Sequence, residues 1–306
     1  WSDWSSFYTS AKPTVTITSP QDGYVSDLPS VTVEWSMNDP LDEEQSAFQV
    51  ELINNGNVVS DSGKIQSVSQ RSYKIDYDLE NYESYTIRIK VWDEHDVVSE
   101  VDTINITVDY VSPVVPTFVT NTSKKNACIY IHITNPESQG YEPTVVYNDV
   151  YRKENNNFIR IARNIEPNGT FVDYTVASGR EYTYYVRAYG DNETFQDSET
   201  ATDQVSFKYV RLSLISNLQE DINLIYNSER EYSYELGGQA MQFAGRSKPV
   251  VDFPSYNDQP LSLNYTIIGD ELYRLENMLL AKETMLYRDY RGRKRYVVAM
   301  NFNVSD

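Results

Sequence analysis

The ten residues from Glu181 to Gly190 constrain the fold of this chain more than any other stretch. Apolar or aromatic side chains occupy every second position, which predicts a β-strand with one buried and one solvated face: Tyr182, Tyr184, Val186 and Ala188. Residues 84–93 repeat this design: Tyr85, Ile87, Ile89 and Val91. The offset is 182 − 85 = 97 residues, about the size of one seven-stranded sandwich domain. We therefore predict tandem β-sandwich modules.

Turn and linker signals divide the chain into four parts. Residues 1–11 are interpreted as the end of a preceding sandwich, 12–111 as a first complete sandwich, 112–208 as a second, and 209–306 as a different unit. The proline-containing stretch that joins the two complete sandwiches predicts a short, stiff linker. We expect the chain to be a piece of something longer, since it begins without an initiator methionine or a signal peptide.

The residues before the second tyrosine strand resemble a known family. The stretch from Gly169 to Tyr182 is similar to fibronectin type III modules, in which a loop precedes a tyrosine whose hydroxyl bonds back to the chain. The resemblance implies that Tyr182 is this tyrosine corner and that Tyr85 is its match in the first sandwich. Residues 77–84 lack the glycine of the second loop, so the first sandwich resembles the family more loosely.

Beyond residue 210 the pattern changes to strands combined with a single helix. Asp270 is the predicted N-cap of this helix, and one helical face is apolar: Leu272, Leu275, Met278 and Leu279. Residues 284–304 predict a hairpin that turns at Tyr290-Arg291-Gly292-Arg293. We predict a mainly β chain, with tandem fibronectin type III or immunoglobulin-like sandwiches and a small α+β barrel-like domain with one helix.

The last unit resembles a small domain in tail proteins of double-stranded-DNA phages through four successive features: Gly245–Val250, an alternating strand, a short helix of the Asp270–Leu280 type, and Leu286–Arg293. Such domains belong to distal-tail, tail-tip or baseplate-hub components. The resemblance implies a non-enzymatic structural part of a phage tail, which is made in the bacterial cytoplasm and resides in the virion. Its implied partners are other tail proteins and copies of itself, in a ring of three or six.

Net charge narrows the range of partners. The chain has 45 acidic and 26 basic residues, a formal charge of −19, which the phosphates of nucleic acids and anionic membranes would repel. No segment has the ~20 consecutive apolar residues of a membrane span. We therefore expect neither nucleic-acid binding nor membrane insertion. The single cysteine, Cys128, excludes an intramolecular disulfide framework.

The sequence offers no catalytic constellation. His132 alternates with Ile131 and Ile133 and is predicted to point to solvent, and Cys128 begins the same strand. The pair Gly237-Gly238 lacks the lysine of a phosphate-binding loop and predicts a turn or hinge. We predict no enzymatic activity and no cofactor.

Two acidic loops of the first sandwich are expected to meet at one end of the module. Their carboxylates are weak candidates for a Ca²⁺ site, which needs six to eight oxygen ligands: Asp39, Asp42, Glu44, Asp93 and Asp96. The alternative is a solvated acidic tip. Because the spacing matches no dedicated calcium loop, no metal is assigned.

The hairpin near the C-terminus carries the strong positive patch of an acidic chain: Arg288, Arg291, Arg293, Lys294 and Arg295. We interpret it as an intersubunit contact in which the hairpin meets acidic surface on a neighbouring copy. A nucleic-acid site and an ordinary solvated turn are the alternatives.

Several aromatic side chains are predicted on the solvated faces of strands: Tyr130, Tyr185, Tyr189 and Trp92. They could stack on sugars of a host-surface glycan, but cross-strand pairing is the favoured interpretation. The runner-up function is a bacterial cell-surface adhesin or a glycan-binding accessory arm of a polysaccharide-degrading enzyme. Neither predicts the helix-and-hairpin unit at the end of the chain.

Overall fold

The computed structural model describes residues 11–232, 239–241, 250–252, 261–267 and 269–303. Within these ranges the chain is mainly β with one helix, and its buried apolar side chains form three clusters that follow one another along the sequence. Three sequence predictions lie outside the described residues: the sandwich end at residues 1–10, the Gly237-Gly238 turn, and residues 245–249 of the phage-tail resemblance.

The first sandwich has nine strands, whose bounds are β1 (Thr14–Ser19), β2 (Tyr24–Ser26), β3 (Thr32–Asn38), β4 (Gln45–Asn54), β5 (Asn57–Asp61), β6 (Ile65–Gln66), β7 (Ser72–Lys74), β8 (Ser84–Asp93) and β9 (Asp102–Val108). One sheet has the order β1-β3-β7 and the other β2-β9-β8-β4-β5, with β6 paired to β4. Apolar side chains from both sheets fill the space between them, with the rings of Trp35 and Phe48 4.8 Å apart.

The second sandwich has eight strands, whose bounds are β10 (Thr117–Ser123), β11 (Cys128–Thr134), β12 (Val145–Glu154), β13 (Asn157–Ile165), β14 (Thr170–Asp173), β15 (Glu181–Gly190), β16 (Phe195–Asp197) and β17 (Ala201–Gln204). One sheet has the order β10-β11-β14 and the other β13-β12-β15-β16, with β17 also paired to β15. Cys128 is buried as a free thiol at the start of β11.

Strands β8 and β15 confirm the repeat that the sequence predicts. Each is ten residues long, each begins with an exposed residue followed by a buried tyrosine, and each continues with buried side chains at alternate positions. Each also lies inside the larger sheet of its sandwich, between β4 and β9 or between β12 and β16. The 97-residue offset therefore relates equivalent strands of two similar modules.

The last unit contains β18 (Val210–Leu214), β19 (Asn217–Leu224), β20 (Tyr226–Tyr232), β21 (Gln239–Met241), β22 (Val250–Asp252), β23 (Leu261–Thr266), α1 (Glu271–Leu280), β24 (Met285–Arg288) and β25 (Lys294–Val297). Its main sheet has the order β19-β18-β24-β25 and is open at both edges within the described strands. Leu275 and Met278 of α1 are buried as predicted. Asp270 precedes the helix but makes no side-chain capping bond.

Candidate functional site

Tyr85 and Tyr182 make the same contact in the two sandwiches. The Tyr85 hydroxyl accepts a hydrogen bond from the backbone N–H of Glu80 at 2.9 Å, and the Tyr182 hydroxyl accepts one from Ala177 at 2.8 Å. Each donor lies five residues upstream of its tyrosine, which is the arrangement of a tyrosine corner. Burial raises the pKa of Tyr85 to about 12, so its hydroxyl stays neutral at ordinary pH.

Arg187 joins the first two sandwiches. Its Nη1 donates to Asp78 Oδ2 at 3.1 Å and its Nη2 to Glu80 Oε1 at 3.2 Å, both in the first sandwich. Its Nε also donates to Asp197 of its own sheet at 2.7 Å. Burial alone would lower the pKa of Arg187, but the bonds and charge of Asp197 outweigh it and hold this pKa above its ordinary value. The alternation predicts Arg187 on a solvated face, whereas its side chain is only 7% exposed.

The linker between the two sandwiches is held by polar and close apolar contacts. Thr194 Oγ1 donates to the carbonyl oxygen of Val111 at 2.8 Å, and the Asn81 side chain donates to that of Tyr110 at 2.7 Å. A methyl group added at Gly190 would lie 3.1 Å from the ring of Pro113. Strands of both modules therefore fix the path of the linker.

Arg211 and Arg288 join the second sandwich to the last unit. Arg288 Nη1 donates to the carbonyl oxygens of Ala127 at 2.6 Å and Val176 at 3.2 Å, and Arg211 Nη2 donates to that of Lys125 at 2.5 Å. Arg288 is fully buried, and its Nε and Nη2 have no hydrogen-bond partner. Burial lowers the pKa of Arg288 to about 10, although the charge of Asp221 opposes this shift.

The structure divides the predicted basic patch into a buried and an exposed part. Arg288 binds carbonyl oxygens of its own chain and is therefore not available to a neighbouring copy. The structure contradicts the prediction that Arg288 belongs to the interface between copies. Lys294 is half-buried, and burial lowers its pKa. Arg291, Arg293 and Arg295 are exposed. Their intersubunit role stays a prediction.

The hairpin turn that carries these side chains lies against the second sandwich. Gly292 has a φ of +80°, and a Cβ atom added there would lie 2.9 Å from the backbone oxygen of Ser178. Only a residue without a side chain fits this close approach. The base of the hairpin is therefore part of the junction between the second sandwich and the last unit.

The two acidic loops of the first sandwich meet, as their positions in the sandwich predict. Glu43 of the β3–β4 loop lies 3.0 Å from the imidazole Nδ1 of His95 in the β8–β9 loop. Of the predicted calcium ligands, Asp39 and Asp93 are buried. The other three, Asp42, Glu44 and Asp96, are exposed, and Asp96 pairs with Lys64.

The sequence prediction missed Glu43 and His95 at this tip. Ligand atoms of Glu43, Asp93 and His95 all lie within 4.8 Å of one another. The run Asp93-Glu94-His95-Asp96 carried the signal, because an imidazole among carboxylates is a typical metal-binding composition.

The aromatic side chains on the outer faces pair with neighbours on the protein. Tyr185 stacks on Tyr151 and Tyr189 on Tyr147, each with ring centroids 4.6 Å apart. Tyr130 stacks on His132, and Trp92 lies under the ammonium groups of Lys64 and Lys90. The two tyrosine pairs are cross-strand pairs between β12 and β15, whereas Tyr130 and His132 stack along the same strand, β11.

One of the two histidines of the chain contacts a hydroxyl group on the surface of the second sandwich. The Nδ1 atom of His132 is 2.9 Å from Thr170 Oγ1 on the outer face of β11 and β14. Cys128 is fully buried, and burial raises the pKa of its thiol, so its reactive thiolate form is disfavoured. The groove on the outer face of β4, β8 and β9 is open to solvent and lined by Gln49, Glu51, Arg88, Ile89, Lys90, Val101 and Thr103.

Residues 14–107 match the family model described as "Rha78A-like, N-terminal immunoglobulin domain". The first sandwich is immunoglobulin-like. Fibronectin(III)-like modules of Clostridium thermocellum CbhA are 16% identical, with 63% of this chain and 95% of that chain covered and a TM-score of 0.27. An α-L-rhamnosidase from Dictyoglumus thermophilum is 14% identical, with 65% of this chain and 31% of the rhamnosidase chain covered and a TM-score of 0.29.

The FN1–FN3 domains of chicken CNTN1 are 12% identical, with 95% of this chain and 99% of that chain covered and a TM-score of 0.27. No curated protein matches the sequence. Among the described residues, no helix has the length and apolar character needed to cross a bilayer.

Proposed function

We propose that the chain is a non-enzymatic structural arm that holds its last unit at a fixed orientation to the two sandwiches. The observation that carries this proposal is the pair of junctions, in each of which a buried arginine of one unit binds oxygen atoms of the next. These charge-assisted hydrogen bonds are made across close-packed contacts between units. Closely packed junctions therefore favour a semi-rigid row of units over modules on flexible linkers.

In this proposal the arm belongs to a phage tail tip or baseplate, and so to the virion. The resemblance of the last unit to tail-protein domains supports this assignment. The last unit assembles with copies of itself in a ring of three or six and with other tail proteins. The sandwiches serve as spacers or as decorations that face the host surface.

Charge supports the contact between copies. Residues 12–111 contain 19 acidic and 6 basic residues, a net charge of 6 − 19 = −13. The exposed side chains of Arg291, Arg293 and Arg295 carry the opposite sign. Opposite patches on neighbouring copies attract each other and fix their relative orientation.

The test is the mass of the full chain in solution, measured by mass photometry and by negative-stain electron microscopy at low and high salt. We expect particles of three or six copies of the 35.3 kDa chain. Because screening weakens contacts between exposed charges, we expect these particles to dissociate at high salt.

Charge-reversal variants locate the contact. The double change Arg291→Glu and Arg295→Glu is expected to yield monomers. Arg163→Glu, which alters an exposed arginine of the second sandwich, is the matched control and is expected to leave the particles intact. A wild-type chain that stays monomeric at every concentration would overturn the assembly role.

A second candidate function is an accessory arm of a polysaccharide-degrading protein or a bacterial adhesin. It is favoured by the match of residues 14–107 to the Rha78A-like immunoglobulin domain. This function predicts a monomer that binds glycans. A glycan array probed with the full chain separates the two candidates, because binding by a monomer supports the arm or adhesin.

A further inference from the structure

The loops at one end of the first sandwich bring together side chains of metal-ligand type. Glu43 lies in the loop between β3 and β4, Asp93 is the last residue of β8, and His95 lies in the connection from β8 to β9. Their ligand atoms, two carboxylate oxygens and one ring nitrogen, lie within 4.8 Å of one another. In a tetrahedral zinc site with metal–ligand distances of about 2.1 Å, neighbouring ligand atoms are about 3.4 Å apart. A small side-chain movement would therefore complete such a site.

Both loops are held in place by buried carboxylates. Asp39 Oδ1 accepts hydrogen bonds from the backbone N–H groups of Leu41 at 2.7 Å and Glu43 at 3.4 Å. Asp93 Oδ1 accepts them from His95 at 2.9 Å and Val97 at 2.8 Å. The backbone positions of Glu43 and His95 are thus fixed before any ion binds, which reduces the entropy that binding would cost.

Buried unpaired carboxylate oxygens in the β3–β4 loop are a second observation that favours a cation at this tip. Among the described residues, two carboxylate oxygens are buried without a hydrogen-bond partner: Asp39 Oδ2 and Glu43 Oε2. Asp39 is only 8% exposed, and its other oxygen holds the Glu43 amide. A buried anionic oxygen without a donor costs free energy unless a positive charge compensates it. A metal ion bound by Glu43, Asp93 and His95 would provide this charge for Glu43 Oε2.

We propose that this tip binds a divalent cation of the Zn²⁺ class through Glu43, Asp93 and His95. Imidazole together with carboxylate is a ligand set that suits zinc and neighbouring transition metals. Zinc needs only three protein ligands when water fills the fourth position. Calcium needs six to eight oxygen ligands, and one of the three groups that converge here offers nitrogen. Asp39 is a positioning residue, because it orders the loop that carries Glu43.

The proposal is tested by isothermal titration calorimetry of the full chain with ZnCl₂. We expect one Zn²⁺ per chain, and we expect binding to weaken by tenfold or more in Glu43→Gln and in His95→Gln. Glu44→Gln and His132→Gln are matched controls, because Glu44 is an exposed neighbour in the same loop and His132 is the second histidine of the chain. Both controls are expected to keep wild-type affinity.

Fluorescence of Trp35 and Trp92 in the first sandwich reports whether each variant is folded. The same titration with CaCl₂ tests the class of metal, and we expect no comparable binding. The proposal is overturned if the folded wild-type chain takes up no Zn²⁺, if folded His95→Gln binds Zn²⁺ as tightly as wild type, or if Ca²⁺ binds equally well.

Discussion

Arg187 of the second sandwich donates a hydrogen bond to Asp78 of the first, with Nη1 3.1 Å from Oδ2. The two residues are 109 positions apart in sequence, and the bond bridges the junction between the modules. The Arg187 guanidinium also lies 3.8 Å from the centre of the Phe195 ring. One side chain therefore couples the core-facing strand β15 to the loop that precedes the Tyr85 strand.

The first prediction concerns the rigidity of this junction. Arg187→Gln removes the charged bonds to the first sandwich, and loss of a hydrogen bond to a charged group costs about 1.5 to 3 kcal/mol. We expect a broader distance distribution between spin labels at Asn57→Cys and Asn156→Cys, two exposed positions in different sandwiches. Double electron–electron resonance measures this distribution. Cys128 is fully buried, so the labels attach to the introduced cysteines.

Arg160→Gln is the matched control for this measurement. Arg160 Nη1 donates to Asp149 Oδ2 at 3.1 Å within the second sandwich and has no part in the junction. We expect its variant to keep the narrow distribution. A distribution that is already broad in the wild-type chain would contradict a rigid arm. A distribution equally narrow in Arg187→Gln would show that Arg187 does not hold the junction.

The second prediction concerns the hydroxyl of Tyr85. Tyr85→Phe leaves the Glu80 N–H without its acceptor and is expected to destabilise the first sandwich by about 1 kcal/mol at neutral pH. Urea unfolding followed by tryptophan fluorescence measures this loss, because Trp35 and Trp92 lie in this sandwich.

The same hydroxyl gives the stability a pH dependence. Burial raises the folded-state pKa of Tyr85 from 10.0 to about 12. The raised pKa means that its contribution is fully present below pH 10 and is lost as the pH rises through about 12. We expect the stability difference between wild type and Tyr85→Phe to shrink over this window. A difference that stays constant up to pH 12 would contradict the assignment.

Local sequence patterns predicted the strands, and the resemblance to fibronectin type III modules predicted the tyrosine corners, because both depend on residues close together in the chain. The period of two in β8 and β15 marks which side chains enter the core, and the loop before Tyr182 marks the corner. These features follow from backbone geometry and from the burial of one sheet face. They need no knowledge of how modules contact one another.

The junctions could not be predicted in this way. All four residues of β24 are buried, including Arg288, because the sheet packs against its own core on one side and against the second sandwich on the other. A prediction made from the alternation within a single strand assumes that the sheet face turned away from the core is exposed to solvent. The same assumption placed Arg187 in water. At the acidic tip, composition indicated carboxylates, but only the folded loops bring Glu43 to His95.

The third prediction concerns Asp221, which lies between two buried arginines. Its carboxylate pairs with Arg211 and lies 3.7 Å from Nη2 of Arg288. Asp221→Asn leaves both guanidinium groups without this counter-charge. Removing one partner of a buried ion pair costs about 3 to 5 kcal/mol. We expect faster hydrogen exchange of β18 and β24, with tryptophan fluorescence of the first sandwich unchanged.

Glu220→Gln, at an exposed neighbouring position, is the control for this prediction and is expected to leave hydrogen exchange unaltered. Equal exchange in the two variants would mean that Asp221 does not stabilise this junction.

The last prediction separates backbone strain from contact at the hairpin turn. Gly292 and Gly269 both have positive φ, +80° and +74°, so an alanine at either position is strained by about 1 kcal/mol or more. At Gly269 an added Cβ atom meets nothing within 4 Å, whereas at Gly292 it lies 2.9 Å from the backbone oxygen of Ser178. We therefore expect Gly292→Ala alone to push the hairpin away from the second sandwich.

Hydrogen exchange of the Asp289–Gly292 turn and of residues 176–180 should rise in that variant and stay at wild-type levels in Gly269→Ala. If both variants lose stability equally and neither alters exchange at residues 176–180, the hairpin does not rest on the second sandwich in solution.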